Sequence, residues 1–138
     1  MEPPKTHPVD LNTPGLPKPY RELRSLINYL SLALVFGILI LIYDAWMMAT
    51  PVYKLNIAVL LILPASLVSL FFCRLNLARQ KKNAIWFYLA PLVINYGYLF
   101  LTPGGISGQN AIYVLISALV SAMVLWMVGK FIKQGLLA

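Results

Sequence analysis

Few side chains in this 138-residue sequence have the chemistry for a reaction or for holding an ion. With one histidine, His7, and one cysteine, Cys73, a multi-histidine metal centre and a disulfide framework are both excluded. No Ser–His–Asp set is expected, because His7 falls in a proline-rich leader away from the apolar bulk of the chain. The turn Gly104-Gly105-Ile106-Ser107-Gly108 lacks the lysine that a phosphate-cradling loop needs. A non-enzyme without cofactor or metal is therefore expected. The remaining polar candidates are Asp44, Asn56 and Asn95, each at or inside an apolar stretch, where an acid or amide is a candidate ion or proton group.

The elements carrying them are membrane spans. Hydrophobic residues make up 60% of the chain and charged residues 11%, far from the balance of a soluble domain. Four apolar stretches, 26–48, 55–73, 84–101 and 111–128, hold 23, 19, 18 and 18 residues. As helices these reach ~27–35 Å, the thickness of a hydrocarbon core. They are apolar on all sides, so barrel strands, which alternate, do not fit. The expected fold is all-α: four transmembrane helices in two hairpins (residues 26–138), preceded by an extended, proline-rich arm and a juxtamembrane start (residues 1–25). The first span is longer than a signal-peptide core and lacks a small-x-small cleavage site, so it is expected to stay.

Charge sets the expected orientation. The net charge is +7, yet the apolar runs leave no polar fold to carry nucleic-acid binding. Ten of the eleven basic residues fall in the leader, in the 74–83 loop or after the fourth span; Lys54 is the exception. The positive-inside rule then places both termini and that loop in the cytoplasm, in a bacterial inner (plasma) membrane. Arg74, Arg79, Lys81 and Lys82 are expected to touch anionic lipid at that face.

Depth along the spans sharpens the polar candidates. Asp44 lies four residues from the outer end of its span, ~6 Å deep, within reach of interfacial water or Lys54. Pro64 and Pro91 interrupt spans two and three near mid-membrane, freeing the carbonyls of Leu60 and Phe87. Asn95 is at a matching depth, and its amide is expected to satisfy Leu60 and lock the two kinked helices together. Ala65/Ser69, Ser117/Ser121 and Ala118/Ala122 are small pairs that permit close helix approach.

Six of the ten prolines, Pro3, Pro4, Pro8, Pro14, Pro17 and Pro19, crowd the first 19 residues and predict an extended arm that lies along a partner. The expected function is a non-catalytic accessory or assembly subunit of a larger membrane complex, tethered by that arm to other membrane subunits. The alternative is a small homo-oligomeric channel or transporter with a polar path near Asp44 and Asn95.

Overall fold

A computed structural model describes residues 7–50, 57–108 and 110–138, and it is helical, with no strand among the described residues. The helices are α1 (Lys18–Met48), α2 (Ile57–Ala78), α3 (Ala84–Leu101) and α4 (Ala111–Lys133). All four are long and apolar enough to cross a membrane. A helix is what such sequences must adopt in lipid, because it pairs backbone groups within one segment. The broadest packing is between α2 and α3, then α1 and α2; α4 rests on α3 and touches α1 at one edge. Among the described residues α1 and α3 make no close backbone approach.

Three helices outrun the apolar stretches that announce them. Residues 18–25, expected to hold the end of the arm and the juxtamembrane start, are the first turns of α1. Pro17 caps this helix at φ −53° and ψ 151°, and its carbonyl accepts from the Tyr20 and Arg21 amides. Pro19 sits in the first turn, where a missing N–H leaves no bond unmade, so proline there starts a helix instead of preventing one. At the other ends, α2 runs on to Ala78 and α4 to Lys133. Residues 7–17 also depart from a continuous polyproline rod. The Asn12 amide donates to Asp10 Oδ1 in a side-chain turn, and Gly15 takes a positive φ of 76°.

Burial is concentrated at one end of the bundle. Tyr20, Leu23, Leu26, Ile27 and Leu30 of α1 join Cys73 and Leu77 of α2, Ala84 of α3, and Val124, Val128 and Phe131 of α4. Leu136 and Leu137, beyond α4, complete this core, and Val9, Leu11 and Leu16 pack against it. The nine described basic residues lie at or beside this same end. We call it the basic head. With 31 residues, α1 is ~46 Å long, about 16 Å more than a hydrocarbon core, so it exceeds a single crossing by about ten residues. Inside lipid there is no hydrophobic drive to press helices together, and Leu32, Phe36, Leu39, Leu61, Val93, Ile112 and Leu119 stay exposed to the surroundings.

Main-chain bonds tie the head shut. Gln80, at φ 55°, is the left-handed residue ending α2; its amide donates to Leu77 and that of Lys81 to Asn76. Gly135, at φ 72°, ends α4 in the same way, its amide bonding Ile132 and that of Leu136 bonding Phe131. The Ala138 amide then donates to the Gln80 carbonyl at 2.8 Å, and the Lys82 amide donates to Ala138 O at 3.0 Å. Residues 7–17 join the same knot through the Gln80 side chain, which receives the Val9 amide at 3.1 Å and donates to the Val9 carbonyl at 2.7 Å.

Gln80 therefore combines a strained backbone with a needed side chain. Gln80→Ala is expected to lose about 1–3 kcal/mol, the two bonds to Val9. Gln80→Gly loses the same bonds but relieves the positive φ, so it should melt above the alanine protein. A glycine variant melting below the alanine variant in the same detergent would contradict this account.

Candidate functional site

The apolar slab holds a small set of hydroxyl, amide and guanidinium groups, and packing turns them toward one another. Ser69 Oγ on α2 donates to the Phe87 carbonyl on α3 at 2.6 Å. Phe87 lies four residues before Pro91, so this is the carbonyl that Pro91 leaves without its helical donor. Asn95 Nδ2 donates to Ser66 Oγ at 3.3 Å. The interhelical lock expected of Asn95 thus forms through a different partner. Leu60 lies six residues before Ser66, about 9 Å along α2, out of reach of an amide placed at Ser66. On the other side of α3, Tyr96 Oη lies 3.0 Å from Ser117 Oγ of α4. A cleft of about 180 Å³ opens between α2 and α3 beside these bonds, lined by Leu61, Ile62, Ala65, Ser66, Ser69, Ala90, Pro91 and Ile94.

Removing the Ser69 hydroxyl strands the Phe87 carbonyl in an apolar setting. Ser69→Ala is expected to cost about 1 kcal/mol, the scale of interhelical bonds in lipid. In a Pro91→Ala background residue 91 regains its amide, and the same serine substitution should be close to neutral. Melting of the four proteins in one detergent measures the coupling; equal costs in both backgrounds would refute the assignment.

Where the slab meets the head, Arg74 turns inward. Its Nε donates to Ser31 Oγ of α1 at 2.5 Å, while Ser31 Oγ itself donates to the Ile27 carbonyl at 2.9 Å. Arg79, Lys81 and Lys82 are exposed. The four basic residues expected to act as one lipid-facing group are therefore split, one pinning α2 to α1 and three facing outward. On the opposite side of the head, Lys130 Nζ of α4 bonds Glu22 Oε2 of α1 at 2.8 Å, and the ammonium also lies 5.7 Å from the Trp126 ring centroid.

The other candidates separate. Asp44 is half-buried on α1, and its expected partner Lys54 lies outside the described residues, as does Asn56. Asn95 is on α3, which α1 does not approach, so Asp44 and Asn95 are not in contact within a single chain. Pro64 and Pro91 lie inside α2 and α3 as expected. Of the arm prolines, Pro8 and Pro14 are exposed, Pro17 and Pro19 open α1, and Pro3 and Pro4 lie outside the described residues. Among the described residues no three His, Cys, Asp or Glu side chains converge on a metal-sized site.

Sequence reasoning missed Gln80 and the Glu22–Lys130 pair. Gln80 reads as one more polar loop residue, and only the meeting of residues 9, 80 and 138 gives it a role. Ser69 was visible as a small residue and Phe87 as a freed carbonyl; the helix register that joins them was not. Comparisons with protein-family models, curated proteins and solved structures give no match for this chain.

Proposed function

We propose that the chain is a non-catalytic accessory or assembly subunit of a larger membrane complex. It would sit in a bacterial inner membrane with its two hairpins packed side by side and the basic head in the cytoplasm. The observation that carries this reading is that four polar groups at or within the slab are spent on holding helices together. Ser69, Asn95, Tyr96 and Arg74 all have partners on a neighbouring helix of the same chain. A transport path needs polar groups that face a substrate; a packing subunit needs them to face each other. The long apolar faces that remain, such as Leu32, Phe36 and Leu39 on α1, are free to meet lipid or the helices of other subunits.

The arm takes a more limited role than a free tether. Residues 7–17 are bound to the head through Val9 and Gln80, which makes them part of the surface offered to a partner. Purification of the chain at native abundance in mild detergent tests the proposal. Stoichiometric co-purification of other membrane subunits is the expected result. A symmetric homo-oligomer with no other subunit, conducting ions in liposomes and losing that flux on Asp44→Asn, would overturn it in favour of the channel reading.

A further inference from the structure

The basic head leaves several cations without a counter-charge. Along the first turns of α1, Tyr20, Leu23, Leu26 and Ile27 are buried, while Lys18, Arg21, Arg24 and Asn28 are exposed. This is one apolar and one polar face at helical spacing. Arg79, Lys81 and Lys82 follow α2, and Lys133 ends α4, all exposed. These three elements are held at one end by the Gln80–Ala138 and Lys130–Glu22 bonds. Of the two acids described in the head, Glu22 is paired with Lys130, while the exposed Asp10 accepts the Asn12 amide on one oxygen and makes no ion pair with these cations.

Depth and flanking residues point to the same medium. Counted from Met48, a ~30 Å core ends near Tyr29, which puts Arg24 roughly 6–8 Å beyond it, at headgroup level. Trp86, two residues into α3 from the basic loop, is 67% exposed, and Trp126 on α4 is 66% exposed. Exposed indoles beside a ring of cations form the signature of a bilayer interface.

We infer that the basic head is a headgroup-binding surface, with Arg21, Arg24, Arg79, Lys81, Lys82 and Lys133 holding the phosphodiesters of anionic lipids. Arg74 and Lys130 take no part, since both are committed inside the chain. The inference rests on the membrane-spanning reading but not on any partner subunit. A guanidinium grips two phosphate oxygens at once, so the arginines fix headgroups while the lysines add charge. Anionic lipid would thereby become the first shell of the head.

The test uses the full chain, alone, in phosphatidylcholine vesicles, with Trp46→Phe removing the indole of the far end. Brominated phosphatidylglycerol or brominated phosphatidylcholine is added at equal mole fraction, and quenching of Trp86 and Trp126 is read. Excess quenching by the anionic lipid is expected, an enrichment on the order of fivefold for each headgroup held, shrinking as salt is raised. Arg21→Gln/Arg24→Gln/Lys81→Gln/Lys82→Gln should remove most of the excess, leaving the part that Arg79 and Lys133 hold, whereas Lys130→Gln should leave the excess unchanged. If the quadruple variant does not melt cooperatively, the Arg21/Arg24 and Lys81/Lys82 double variants are read instead, each losing part of the excess. Equal quenching by both lipids in the parent, or an excess that these substitutions leave undiminished, overturns the inference. Because no other subunit is present, either outcome leaves the co-purification result independent.

Discussion

Phe131→Ala is expected to be the most damaging single truncation in the chain, lowering stability by about 3–5 kcal/mol. Phe131 is fully buried at the last turns of α4, in the one core that also holds Leu23 and Leu30 of α1 and Leu77 of α2. Its removal leaves a cavity, and main-chain bonds through Gln80 and Ala138 hold the walls apart, so collapse is resisted. The matched control is Leu119→Ala on the same helix, 63% exposed, where lipid or detergent replaces the lost contact and the change should be within about 0.5 kcal/mol. Thermal unfolding in one detergent compares them. Similar losses at both positions would refute the view that packing energy is gathered in the head.

Gly37→Leu is the second large effect, and it acts within the slab. Gly37 is a buried glycine of α1, and a Cβ there would run into the Leu67 side chain of α2. Glycine in a helix interior normally costs about 1 kcal/mol against alanine, so its place here is explained by the close approach it allows. The obstruction is the end of a flexible side chain, which can yield to alanine but not to leucine. An overpacking cost of about 1–3 kcal/mol is expected for leucine, along with weakening of the Arg74–Ser31 bond that ties the same two helices. Leu67→Ala in the leucine background should restore much of the loss. A double variant no more stable than Gly37→Leu would show that the two residues do not compete for one space.

The four helices are legible in the sequence because their stretches are apolar all round, which leaves one structure that lipid tolerates. Their extensions were hidden for a local reason. Tyr20, Leu23, Leu26 and Ile27 have helical spacing, but Pro17 and Pro19 beside them read as an unstructured leader. Proline bars a helix interior and favours a helix start, and which rule applies depends on where the start falls. The polar bonds were legible by half. Pro91 names the carbonyl that needs a donor, whereas the donor depends on the rotation and register of α2 against α3. Asn95 shows the limit of depth as a guide: depth correctly suggests that α2 and α3 are linked, and misplaces the link by nearly two turns.

The location of the core also sets an order of events during synthesis. Residues 9, 22, 80, 130 and 138 meet in the head, so bonds there join positions as many as 108 residues apart in the chain. Each helix can enter the bilayer as it is made, needing only its own backbone bonds, and α2 can then find α3 through Ser69 and Asn95. The head cannot close until Phe131, Leu136 and Leu137 have left the ribosome. Until then Leu23, Leu26 and Leu30 stand at the membrane surface without cover. If the helices insert as they are made, all four are therefore in place before the head closes.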